Sequence, residues 1–296
     1  MGRLAVLGCG YVGLELARQL TDSREVVGVR RSAAGIEAIE AAGATGVQAD
    51  LTDRETLEAV PDAETVVFAA SAGGRSPQAA RETYVDAQRT AIEAFGERER
   101  SPDRYIYTSS TGVYGDHGGN WVDEETPLTP ETEREAALLE AEELALDRTA
   151  EFGIDGTVAR FAGLYGPSRY RLERYLDGPV ADGYLNMVHR DDAAGVVAHL
   201  LRNGLARQDT VLVVDDEPVW RPAFADWLAA ECRVDKPEER TKLAQGDGST
   251  TTDRRRQTDK RCANDKLHEL GYEFRYPTFR DGYREPVSAY RTAARE

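Results

Sequence analysis

Lysine is nearly missing from this chain. Lys236, Lys242, Lys260 and Lys266 are its only lysines among 37 basic residues, so arginine carries almost all of the positive charge. Cysteine is scarcer still: Cys9, Cys232 and Cys262 lie far apart and are odd in number. That excludes a disulfide framework and a CxxC metal site, and it suits reduced thiols in a cytoplasm. The 4 histidines do not pair at metal-ligand spacing, so no metal is expected. No apolar run approaches the roughly 18 residues of a membrane helix. The start, "MGRLAVLGCG", enters a strand pattern at once and leaves no room for a signal peptide. Between Gly115 and Leu164 there is neither a tyrosine nor a lysine. Positive charge is outnumbered overall, with 53 acidic residues and a net charge of −16. Such a surface repels phosphate backbones and anionic lipid, which excludes nucleic acid and membranes as partners. Two readings of the acidity stay open. One is a halophilic surface, whose self-repulsion high salt screens, and the other is an ordinary acidic cytosolic protein.

What is present is an alternation of strand and helix patterns. "RLAVLG" is an apolar run followed by helical spacing at Val12, Leu16 and Leu20. "EVVGVR", "GVQAD" and "ETVVFAAS" are further strands, separated by a helix around Ile36 and Ile39 and a brief one over Asp53–Ala59. Pro77 opens a longer helix with Tyr84, Val85, Gln88, Ala91, Ile92 and Phe95 along one face, and "RYIYTS" follows as a strand. This rhythm predicts an α/β fold, a Rossmann-type doubly wound parallel sheet covered on both faces. Residues 1–160 form the dinucleotide-binding domain in this reading. Residues 161–296 supply the remaining strands and a small C-terminal substrate lobe, interleaved with the first part. Within them "DGTVARF" and "TVLVVD" are strands and Ala193–Leu201 and Phe224–Glu231 are helices. "GDGSTTTDRRRQTDKR" reads as a polar loop. Ligands of such sheets bind beyond the carboxyl ends of the strands.

One such end carries Gly8-Cys9-Gly10-Tyr11-Val12-Gly13, a G-x-G-x-x-G between a strand and a helix. Gly8 permits the tight turn, Gly10 lets a pyrophosphate approach the backbone, and Gly13 allows close helix–strand packing. The anion then rests on the helix N-terminus beside Tyr11 and Val12. After the second strand stand Arg30 and Arg31 in place of a carboxylate. Arginine cannot accept a ribose hydroxyl proton but matches a phosphate fork, which favours NADP over NAD. The alternative is a pair of solvated arginines opening a helix. Asp50, ending "VQAD", is placed to accept from an adenine amino group, and a helix N-cap role for Asp50 or Asp53 stands beside that reading.

"GCGYVG", "ADLTD", "VVFAAS", "YTSSTGVYG", "ARFAGLYGP" and "NMVHRDDAAGVVAHLL" occur in the order of the extended short-chain dehydrogenase/reductases. Over nearly its whole length the chain resembles the NAD-dependent epimerase/dehydratase family. The resemblance implies a Rossmann domain with a C-terminal substrate lobe, and many members act on nucleotide sugars. It places Asp50 and Leu51 of "ADLTD", and Ala69, Ala70 and Ser71, along the cofactor, and gives Ser110 the role of the catalytic Ser/Thr. The family's Tyr-x-x-x-Lys pair falls at Arg134 and Leu138, neither of which can serve as its acid–base. The helix asparagine of the family is Asp86, and Gly163 replaces an asparagine that often contacts the substrate diphosphate. The pattern is that of an atypical member, which keeps the glycine motif and lacks the tyrosine.

Candidates to replace the missing acid lie near Ser110. Tyr114 is four residues on, in "GVYG", where packing is its alternative role. His117, in "GDHGGNW", titrates near neutral pH and is either a proton shuttle or a solvated loop residue. His189 is read as a hydrogen-bonding link between loops. Arg160, Arg169, Arg171 and Arg174 are available for a substrate anion or for the protein's own carboxylates. The sequence therefore supports an NADP-binding oxidoreductase or epimerase-like protein acting on a small carbonyl or sugar-derived molecule. The alternative is a dinucleotide-binding or sensing protein with little turnover.

Overall fold

Short runs of Val, Ile and aromatic residues form the first strands: β1 (Leu4–Leu7), β2 (Val26–Arg30), β3 (Thr45–Gln48), β4 (Thr65–Phe68) and β5 (Arg104–Ser110). β1 and β4 are buried at every position, as strands covered on both faces must be. The computed structural model describes residues 2–74, 76–237, 239–240 and 258–293. Its 7-stranded sheet runs Asp209–Val213, Asp155–Phe161, β5, β4, β1, β2, β3. Every pairing in it is parallel. The chain order reverses between β1 and β4, the switch point at whose carboxyl ends a doubly wound sheet binds its ligands. Alternate residues of β1 point to opposite layers: Leu4 and Val6 join one core, Ala5 and Leu7 the other. A third core around Tyr165, Met187, Phe224, Phe279 and Tyr283 belongs to the C-terminal part. Residue 160 lies inside the strand Asp155–Phe161, and Asp209–Val213 returns to the same sheet. Among the described residues no helix is long and apolar enough to cross a membrane.

The helices begin where the sequence supplies caps. Ser32 accepts from Gly35 N–H at the start of α2 (Ala33–Ala41), after the glycine-opened α1 (Tyr11–Leu20). Asp53 caps α3 (Arg54–Leu57), and Ser76 with Pro77 opens α4 (Pro77–Arg81). α5 spans Ala87–Gly96, and a Thr132/Glu135 capping box starts α6 (Glu133–Glu143). The helices expected at Ala193–Leu201 and Phe224–Glu231 run longer, over Arg190–Asn203 and Arg221–Cys232.

Two expectations need correction. The helix opened by Pro77 is not regular: a π-turn at Glu82–Asp86 separates α4 from α5. Val85, Gln88, Ala91, Ile92 and Phe95 stay buried, while the extra residue in the turn takes Tyr84 out of that row. The polar loop read over 246–261 falls mostly outside the described residues, and its end is not loop. Arg261–Cys262 pairs in parallel with Trp121–Val122, because the backbone of Asp259 has already taken up the amides of His117 and Gly119.

Candidate cofactor site and active site

The turn after β1 is shaped by what cannot fit there. Gly8 has φ +74°, and a Cβ on it would stand 2.4 Å from the Cα of Ala70, just after β4. A Cβ on Gly13 would meet Val6 of β1 at 3.0 Å, so the glycine sets how closely α1 approaches its strand. Gly10 is the N-cap of α1 and offers no side-chain hydrogen bond to the first turn. Its backbone is overlooked by Arg30: a Cβ on Gly10 would stand 2.7 Å from Nη1 of that side chain. Among the described residues Arg30 has no carboxylate within ion-pair distance, whereas Arg31 faces Asp50 at 3.7 Å. Asp50 accepts from the N–H and hydroxyl of Thr52, and the Thr52 N–H chiefly holds its carboxyl below the usual range. The α3 cap is Asp53, which leaves the second oxygen of Asp50 to Arg31. Leu51 is buried beside this turn, and Ala69, Ala70 and Ser71 leave β4 on its other side.

The Ser/Thr cluster at the end of β5 divides into a buried and an open part. Ser109 donates to Glu142 of α6 at 2.6 Å, and Glu142 also binds Arg160 through Nε and Nη2, the latter at 2.8 Å. Both charged side chains are nearly fully buried, at 6% and 4% exposure. Arg160 is therefore taken by the protein's own carboxylate. Ser110 is half-buried, and its Oγ accepts from Gly112 N–H at 3.1 Å. Among the described residues nothing accepts the Ser110 hydroxyl proton.

Tyr114 does not fit the acid role considered for it. It is 1% exposed, donates to the Asp123 carbonyl at 2.6 Å and accepts from Arg160 at 2.6 Å. Its proton is committed, and burial pushes the phenol well above its ordinary range. His117 turns toward the C-terminal part. Its ring meets Tyr114 edge-on at 6.2 Å, its backbone N–H donates to Asp259, and Nε2 is buried without a hydrogen-bond partner.

The two positions where a tyrosine and a lysine would stand on α6 have different occupations. Leu138 is buried, its Cδ1 3.6 Å from where a Cβ on Gly112 would be, so it packs beneath the Ser110 turn. Arg134 reaches sideways to Tyr84: Nη2 donates to the phenol oxygen at 3.0 Å, and Cζ lies 5.3 Å from the ring centre. Ala72, one residue beyond Ser71, directs its N–H at the same oxygen from 3.5 Å. Sequence reasoning missed both Tyr84 and Glu142. Glu142 had a signal, because Ala137, Leu138, Ala141 and Glu142 share one helical face and all are buried.

The model of the NAD dependent epimerase/dehydratase family matches residues 4–217, which carry this turn, the Ser110 cluster and α6. The chain belongs to that family. It is similar to Protein YeeZ of Escherichia coli (strain K12), at 29% identity over 285 residues, which cover 94% of this chain and 97% of that protein. The solved structure of a functionally unknown conserved protein from Silicibacter pomeroyi has a TM-score of 0.76 at 27% identity, covering 98% of this chain and 99% of the other. A UDP-glucose 4-epimerase from Thermotoga maritima, solved with UDP-glucose, has a TM-score of 0.79 at 19% identity and covers 99% of both chains. That likeness is one of fold.

The family motif "ARFAGLYGP" leads into a loop that folds back on α1. Tyr11 donates to the Pro167 carbonyl at 3.0 Å, and the Arg169 guanidinium stacks over the Tyr11 ring at 4.0 Å. Arg171 adopts a left-handed φ of 54° in this loop, and Arg174 lies over Tyr175. Behind it, the buried His189 accepts from Asp191 N–H through Nδ1 and so caps Arg190–Asn203. Burial lowers its imidazole to about 4, which keeps it neutral. A Cβ on the exposed Gly163 would approach the Asn186 carbonyl at 3.0 Å, a tight contact that a small backbone shift would have to ease.

Proposed function

We propose that this protein binds NADP(H) and works in the cytoplasm as an oxidoreductase or epimerase-like enzyme on a small carbonyl or sugar-derived substrate. One observation carries the cofactor choice. In a chain of net charge −16, Arg30 has no carboxylate partner among the described residues and hangs over the backbone of Gly10. An unneutralised guanidinium beside an uncapped helix N-terminus suits a phosphate. The surrounding residues suit the rest of a dinucleotide. Gly10 leaves the backbone clear for the pyrophosphate while Gly8 and Gly13 shape the turn and its packing, and the first-turn amides of Tyr11 and Val12 are suited to face it. Asp50 and Leu51 border the adenine, Arg31 adds a second and more exposed cation, and Ala69, Ala70 and Ser71 flank the nicotinamide ribose.

A bound nicotinamide supplies redox chemistry that no side chain of this protein can. The protein's own part is to hold the substrate oxygen and move its proton. Ser110 suits the holding role, since the Gly112 N–H fixes its Oγ and leaves its proton to donate. The test is to titrate the protein with NADPH and then follow nicotinamide absorbance with a panel of carbonyl compounds and sugar nucleotides. Binding with turnover of a panel member supports the enzyme; failure to bind either dinucleotide refutes the proposal. Leu138, which brings no charge to the active-site helix, favours a second reading as a dinucleotide-binding or sensing protein. Tight NADPH binding with no turnover across the panel would support that one.

A further inference from the structure

Tyr84 touches both cores. It packs against the cluster that holds Val67 and Val113 and against the one that holds Phe68 and Val85, on opposite faces of the sheet. Its oxygen meets the N–H of Ala72, four residues past the end of β4, so it lies at the carboxyl ends of the strands, where ligands of this fold bind. The π-turn at Glu82–Asp86 is what takes it there, and such turns recur at functional sites. Its oxygen is held from two directions, by Arg134 Nη2 at 3.0 Å and by the Ala72 N–H at 3.5 Å. Those donors fill the lone pairs, so the hydroxyl proton is the one hydrogen-bonding function left. No acceptor for it is found among the described residues. Arg134 has no carboxylate within ion-pair distance among the described residues either, although the chain has 53. Its charge is directed at a phenol instead.

We propose that Tyr84, held by Arg134 and the Ala72 amide, is the proton donor to the substrate oxygen. The proposal rests on the dinucleotide-binding reading. In the step the O–H bond of Tyr84 breaks and an O–H bond forms on the substrate oxygen. The phenolate left behind stays beside the permanently protonated guanidinium and regains its proton from water. Arg134 is thus a positioning residue that offsets the transient charge. The arrangement replaces an acid and a cation on one helix by a tyrosine and an arginine on two.

Nitration by tetranitromethane, mapped by peptide mass spectrometry, tests the placement without requiring a substrate. Tyr84 should be nitrated in the free protein, and that nitration should be lost when NADP+ saturates it, while the enclosed Tyr114 stays unmodified in both states. Nitration of Tyr84 that is unchanged by bound NADP+ would overturn the proposal, and so would a Tyr84 that resists nitration in the free protein. Fluorescence titration of NADPH run alongside separates the two ideas, since absence of binding refutes the dinucleotide reading itself. On any panel substrate the protein turns over, Tyr84→Phe should keep NADPH affinity and lower turnover about 10²–10⁴-fold. Unchanged turnover in that variant would overturn the proton-donor role even if protection is seen.

Discussion

Removing Arg30 is the perturbation whose size the geometry fixes best. Its guanidinium overlooks Gly10 with no carboxylate partner among the described residues, so no ion pair has to break before it meets a phosphate. A charge-assisted hydrogen bond contributes about 1.5–3 kcal/mol. Since ~1.4 kcal/mol is a factor of ten, Arg30→Ala should weaken NADPH binding by about 10–100-fold. NADH, which lacks the 2′-phosphate, should bind the variant as it binds the parent. Arg31 offers the internal comparison. Its side chain is 74% exposed and it is already shared with Asp50 at 3.7 Å, so Arg31→Ala should cost no more than about 1 kcal/mol of NADPH affinity. Arg30→Asp should go further and reverse the preference, because a carboxylate there accepts from ribose hydroxyls and repels a phosphate. Nicotinamide fluorescence titration of both dinucleotides against the three variants is the assay. Equal affinities of the parent for NADPH and NADH would refute the reasoning, as would an Arg30→Ala variant that binds NADPH unchanged.

Three further outcomes follow from the same structure. Glu142→Ala strands Arg160 in the interior and should lower stability by about 3–5 kcal/mol in urea denaturation; a loss under about 1 kcal/mol would show that the buried pair is not what braces α6 to the strand Asp155–Phe161. His189 is neutral when folded, its imidazole lowered to about 4, so the unfolded chain takes up the proton first. Stability present above pH ~6.5 should be lost as pH falls toward ~4, by up to about 3 kcal/mol. His189→Asn keeps an acceptor for the Asp191 N–H and should flatten that acid limb, whereas an unchanged limb would assign it to other groups. Melting temperature should rise between low and molar potassium chloride as salt screens the net charge of −16, and a flat or falling curve would reject the halophilic reading.

The parts of the site legible in the sequence are those that local chemistry dictates. Gly8 announces itself because only glycine tolerates its left-handed φ with the Ala70 backbone at that distance. Asp53 announces a helix start for the same kind of reason. Arg30 was readable from its place at the end of β2. Tyr114 and His117 match the missing acid by residue type and by proximity in sequence to Ser110, and neither criterion reports burial. Arg160 fills the space that would have freed the Tyr114 hydroxyl, from 46 residues away. Tyr84 meets Arg134 across 50 residues, through a π-turn that a regular helical pattern conceals. Contacts between helices that are distant in sequence are set by how the layers stack, and periodicity within one helix carries no trace of them.

A crystal structure with NADP+ bound tests the central claim most directly. The account predicts the pyrophosphate on the N-terminus of α1, the 2′-phosphate against Arg30, and the nicotinamide beside Ser110 with the Tyr84 hydroxyl facing it. A dinucleotide seated away from the Gly8–Gly13 turn, or a 2′-phosphate that leaves Arg30 untouched, would contradict it.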